Sequence, residues 1–573
     1  MWSPRGRRPL WLWVLGVVVL PWRLCAADGT WTNLAGGSWP TGGNWASGTV
    51  ADGTGFTADF STLDLTADAT VTLDGARTIG HLKFGDTATT TYNWFLNPGS
   101  GGPLTLSVSS GASTVLVNNG TTTIGAEIAG TANVDKTGSG VLVLSASNSF
   151  SGAMTVRGGV LRVADNGALG ATNGGTVVSG TGAGVELADG ITIVGEKITI
   201  NGTGPSSPSP GVNLGSLQAG NGATATWGGD IVLGSTGSRL GAQAGGTLTV
   251  LGVIDDGANT FTLAISAHTN GGTVVLGNQS VYGGGTDIVR GALRLGTNDA
   301  LPTGTTLDLH SAGSERTTFD MAGFDQRIGG LKRTVESFGT ITNSGATLST
   351  LTVSNAVAAF SFGGEIVGNV ALVKDGGGNL TLSGSNTFTG GTAVGDGSLI
   401  LAGGNNRLAA NSAVTLGSGG SSGRLQLGDG TAAISQTLTG LFTSGSGTDN
   451  RVVGGNGATA STLVMDIGSG VEQSLGDVLG GAGATENQLA LTKAGAGTLI
   501  LTASNAISGT VTVSGGILRV DNDGALGATS AGTTAGSGGT LQLSDGITVS
   551  GETITVNGNG DNARGGLQAA SGA

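Results

Sequence analysis

Cysteine, charge, aromatic rings and proline are all scarce in this chain. Its 573 residues include one cysteine, Cys25, and ten prolines; charged residues make up 11% and aromatics 4%. One cysteine excludes a disulfide scaffold, so an exported chain of this kind must be held by packing and hydrogen bonds. Few prolines, and glycine without a three-residue period, exclude a collagen helix. After residue 27 no apolar run is long enough to span a bilayer as a helix. The three histidines, His81, His268 and His310, are far apart and have no His or Cys partner at metal-ligand spacing. A structural metal is not expected, and no cofactor fingerprint stands out from chance glycine spacings.

What is present begins with an export signal. Arg5, Arg7 and Arg8 precede the uncharged stretch Leu10 to Leu20, and Cys25-Ala26-Ala27 offers small residues for cleavage before Asp28. Residues 1–27 are therefore predicted to be a signal peptide, which carries the only cysteine away. Removing them leaves 20 basic against 37 acidic residues, a net charge of −17. That acidity disfavours nucleic acid and anionic membranes as partners.

Glycine, at 113 residues, punctuates short β-rich runs such as Val141-Leu142-Val143-Leu144, Leu380-Thr381-Leu382 and Leu499-Ile500-Leu501. No stretch keeps helical periodicity, so the expectation is an all-β chain. The block from Val134 to Gly170 returns as Leu491 to Gly527 with 21 of 37 positions identical. Weaker copies lie at 271–302 and 372–408. The copies at 134–170, 372–408 and 491–527 each have a Gly-x-Leu-x-Leu strand, an asparagine (Asn148, Asn386, Asn505), an aromatic or aliphatic residue and a glycine, then a second strand and a glycine corner. The asparagine is lost in the copy at 271–302. Strands of four or five residues between Gly-rich corners suit a β-solenoid of roughly 20–25 residues per coil, with Leu and Val inward and Thr and Ser outward. Asn and Gly are assigned to corners, where they tolerate unusual backbone angles. The motif leucines Leu144, Leu276, Leu382 and Leu501 are several coils apart, so each motif heads a multi-coil block. The expected division is a signal at 1–27, an N-terminal cap with first strands at 28–105, and a solenoid at 106–573. The chain stops inside a second copy of the 187–233 block, which predicts a truncated C-terminal end.

This motif grammar resembles the autotransporter-associated β-strand repeat, also called the passenger-associated transport repeat. The resemblance is good at 134–170 and 491–527, and weaker at 372–408 and 271–302. It implies a right-handed parallel β-helix located outside the inner membrane, in some members as an adhesin-like passenger. Nothing after Gly527 resembles the strands of a translocator barrel, and the family brings no catalytic residues.

The remaining candidates are read as architecture. Gly419-Gly420-Ser421-Ser422-Gly423 fits a nucleophile elbow but has no following helix. Asp255-Asp256 and Asp320 with Asp325 are surface and turn acids rather than a catalytic pair. Asp165-Asn166-Gly167 and Asp521-Asn522-Asp523-Gly524 are turns rather than calcium loops. Trp31, Trp39 and Trp45 are either a plug for the start of the solenoid or a surface for stacking sugars. The expected function is an exported, non-enzymatic structural or adhesive solenoid with polysaccharide or cell-surface partners. The alternatives are a polysaccharide lyase or hydrolase on the same fold, or a fragment whose effector region lies beyond Ala573.

Overall fold

The computed structural model describes residues 1, 26–206, 213–310, 316–334 and 339–570. The signal segment predicted at 1–27, Cys25 included, falls almost wholly outside the described residues. Every strand pairing in the ladders is parallel, and the described residues hold no α-helix, only three short 3-10 turns. The chain is an all-β parallel solenoid of about 21 turns.

One coil illustrates how the sequence closes a turn. Asn133–Thr137 forms one side, Val141–Leu144 a second, and the stretch through Asn148 and Phe150 a short third side before Met154–Val156 returns above the first. Inward and outward residues alternate along each side, so Val134, Lys136, Leu142 and Leu144 are buried. Stacking repeats this inward set. Leu142, Leu161, Val185, Leu217, Leu240, Ile265 and Ile288 are successive register partners in one interior column. Each such side chain contributes about 1.5–3 kcal/mol by leaving water.

Corner glycines are required where two coils touch. Gly159 has a φ of +62° and lies against the preceding coil, where a Cβ would sit 2.4 Å from the Gly140 carbonyl oxygen. Gly397 and Gly516 repeat both the angle and the contact.

The ladder runs unbroken across position 105–106. Gly53–Phe60 pairs with Arg77–Phe84, which pairs with Ala112–Val117. The first strands of the 28–105 segment therefore belong to the same ladder. Coil length varies around the expected value, because loops of different size bulge between the stacked sides. The next-coil partner of Lys136 is Val156, whereas the chain takes a much longer path from Ile200 to its partner Leu233.

Candidate functional site

The tryptophans come together, and they are interior. Trp31, Trp39 and Trp45 are 0%, 0% and 2% exposed. Trp31 and Trp39 each meet Trp45 edge-on, with centroids 5.0 and 5.2 Å apart, and all three pack on Phe60, which stacks on Phe84. Their indole nitrogens donate to the backbone carbonyls of Asn33, Ala51 and Trp39. The sugar-stacking alternative for Trp31, Trp39 and Trp45 is thereby corrected: no indole face is open to a ligand, and burial of three aromatic bodies is what the residues supply.

Other candidates resolve into local hydrogen bonding. Ser421 closes a tight turn with Ser418, and Gly423–Leu427 follows as a strand. Asp256 accepts the N–H groups of Phe261 and Gly283. Asp320 accepts those of Ala322 and Ser344, and Asp325 that of Thr350. Asp165 caps Gly167, Asn166 accepts from Thr192 one coil later, and Asp523 does the same for Thr548. His81 and His268 each accept a backbone N–H at Nδ1. Among the described residues no three His, Cys, Asp or Glu side chains are grouped to hold a metal.

The residues that do converge were not singled out by sequence. Lys136, Lys374 and Lys493 occupy one position of the motif, face inward and are 0% exposed. The Lys136 Nζ donates to the carbonyls of Thr137, Gly138, Gly140 and Gly158 at 2.7–3.2 Å. Lys374 holds Asp375, Gly376 and Asp396, and Lys493 holds Ala494, Gly495 and Gly515. In each case the last carbonyl belongs to the next coil. Burial pushes all three ammonium groups down to about 8. Lysine at the same motif offset in three of the copies is the available signal, a weak one because a lone lysine in a strand usually faces water.

The motif asparagines have a second role. None of Asn148, Asn386 and Asn505 has a positive φ, so the backbone-tolerance reading of these three is corrected. Each instead bridges neighbouring coils with its side-chain amide. Asn148 Oδ1 accepts the Ile128 N–H at 2.8 Å, while its Nδ2 donates to the Ala168 carbonyl at 2.5 Å. Asn386 joins Ile366 to Arg407, and Asn505 joins Leu479 to Ala525. A motif thus carries a buried ammonium clamp at one corner and a three-coil amide staple at another.

Outside the core, columns of threonine face solvent. Thr437, Val464, Thr492, Thr512, Thr534 and Thr555 are successive partners, an uncharged hydroxyl-rich column at a spacing of about 4.8 Å. Thr192, Thr226 and Thr249 form a shorter one, beside Thr224, Thr247 and Thr273. Elsewhere Asp287 and Asp308 are register neighbours, a carboxylate pair that sequence reading missed. Asp308 is held by Lys332 at 3.3 Å and by Thr334. Burial, and then the Asp308 charge, raise Asp287 against the pull of Lys332, His310 and Arg239.

Comparison with known proteins agrees with this geometry. The passenger-associated-transport-repeat family matches at 134–163, 268–295, 372–401 and 491–520, the four segments that carry the motif. The adhesin BmaC autotransporter of Brucella suis biovar 1 (strain 1330) is 28% identical over 263 residues, which are 44% of this chain and 7% of that protein. The chain therefore spans only a small part of the curated relative's length. No solved structure matches. With a clamp lysine and a staple asparagine in three of the four matched segments, the chain is a parallel β-solenoid that carries four passenger-associated-transport repeats.

Proposed function

We propose that this chain is part of an exported passenger that serves an adhesive, non-enzymatic role at or outside the cell surface. The observation that carries the reading is the threonine column from Thr492 to Thr555, an uncharged strip on an otherwise acidic rod. Such a strip offers a regular row of hydroxyl donors and acceptors to a polysaccharide or another cell-surface component. Acidity elsewhere keeps the rod from adhering to nucleic acid. Similarity to a protein named as an adhesin autotransporter supports the same reading. The Trp31, Trp39 and Trp45 pile serves as the plug at the start of the solenoid.

Beads coated with the purified chain should bind a surface-polysaccharide array or intact cells. The double substitution T512K/T534K, on outward positions, should abolish binding while leaving the β circular-dichroism spectrum intact. Binding that survives it would remove the column from the function. Reproducible polysaccharide cleavage that is lost in Asp287→Asn would establish the enzyme alternative instead, since Asp287 beside Asp308 is the pair best placed for acid–base work.

A further inference from the structure

The shorter threonine columns form a net. Thr224 and Thr226 stack on Thr247 and Thr249, with Thr192 before Thr226 and Thr273 after Thr247 as register partners. Alternate residues lie about 6.6 Å apart along a strand, and successive coils about 4.8 Å apart. Six threonines therefore occupy a rectangular net on one side of four coils. Ala225, Trp227, Leu248 and Val250 are buried beneath it and fix its base. Threonine is stiff at χ1, so a packed sheet presents its methyl and hydroxyl groups in set positions. Thr192 and Thr224 bond the Asn166 and Asp189 side chains through their backbone N–H groups, and both threonines are exposed.

A third column borders the net. Val194, Gly228, Leu251 and Gly277 follow one another in successive coils, and Val194 and Leu251 are 72% and 49% exposed. No charged side chain stands on the net. Asp189, at its edge, is turned onto the Thr224 N–H, and Arg294, the partner of Val275 one coil later, is paired with Asp320 at 3.5 Å. Beyond that pair the columns resume at Thr318, Thr340 and Thr342. Neutral hydroxyls set among exposed methyl groups suit neither an anion, which needs positive charge, nor a sugar ring, which is gripped by aromatic faces and converging charged or amide groups. They suit ordered water. We propose that this face binds ice, its methyl groups holding a cage of water and its hydroxyls taking lattice sites within it. The threonine rectangle has nearly the edges of the oxygen net on the prism face of ordinary ice, and the parallel ladder repeats it coil after coil.

Ice grown slowly from a dilute solution of the fluorescently labelled chain tests this. The chain should be taken into the ice, and it should stop small ice crystals from coarsening in a frozen sucrose film. The double substitution T226K/T249K sets two charges in the net and should leave the chain in the liquid, with its β circular-dichroism spectrum unchanged. T512K/T534K, on the column assigned to adhesion, should enter ice like the unsubstituted chain, so that loss of adhesion and loss of ice binding are separable. Exclusion of the unsubstituted chain from ice, to the level of a protein without affinity for ice, would overturn the proposal. So would undiminished uptake of T226K/T249K, or equal exclusion of T512K/T534K. If T226K/T249K does not fold, T226S/T249S decides, since it keeps the hydroxyls and removes the methyl groups: full uptake refutes the cage.

Discussion

Lys374 and Asn386 lie in one coil, and both are buried polar groups whose partners are backbone atoms. Asn386→Leu should therefore cost more than its own hydrogen bonds, because the Ile366 N–H and the Arg407 carbonyl are left unsatisfied in the core. A loss of about 2–4 kcal/mol is expected, seen as a lower urea midpoint for the surrounding coils. A different buried group governs acid dependence. Glu196 is 2% exposed, and burial raises it to about 7 against an ordinary 4.5, with the Thr176 hydroxyl opposing the shift. The folded state then holds the proton more tightly, so stability falls as pH rises from 4.5 through 7. Glu196→Gln should raise the melting temperature at pH 8, by up to ~3 kcal/mol of stability, and do nothing at pH 4. The three lysines act in the opposite sense. Their folded values lie below the unfolded 10.5, so the unfolded chain binds more protons between about 8 and 10.5. Stability should climb over that interval, and a melting-temperature profile against pH should pass through a minimum between the two windows. None of this was legible beforehand, since a lysine or glutamate in a strand gives no sign of which neighbour will bury it.

At the scale of a strand and its corner, the sequence is far more informative. Gly-x-Leu-x-Leu runs became strands with Leu inside, and glycine pairs became corners, because alternation and backbone freedom are properties of the chain itself. Which glycines are indispensable depends on the coil beneath. Gly397 has a φ of +67°, and a Cβ there would lie 2.4 Å from the Gly378 carbonyl oxygen. Gly391, a short way back along the chain, has nothing within 4 Å and an ordinary φ. Gly397→Ala should destabilise by roughly 2 kcal/mol or more, whereas Gly391→Ala should be neutral or slightly stabilising. Paired thermal melts of the two variants would show the contrast. The copy at 268–295 makes a related point. Its strands and its corner glycine, Gly291 with a φ of +70°, are retained although its lysine and asparagine are gone. Strand and corner therefore form without the polar devices, which are additions to the fold.

As a whole the molecule is a rod of about 21 turns, about 100 Å long at the usual spacing between strands. Small-angle scattering should give a cross-section radius far below the overall radius of gyration, and a compact scattering profile would contradict the stacked arrangement. The sequence by itself determined the all-β character, the positions of corners and core leucines, and the several-coil spacing of motifs, because each is written in local periodicity and in repetition along one chain. Tertiary structure decided everything that depends on residues a full coil or more apart. It turned the three tryptophans inward, set Asp287 beside Asp308, lined up the threonines from Thr492 to Thr555, and gave each motif lysine its carbonyls from the next coil. The physical reason is that coil length varies, short from Lys136 to Val156 and long from Ile200 to Leu233. Vertical neighbours are therefore fixed by the packing of whole coils, and a constant offset in the sequence cannot name them.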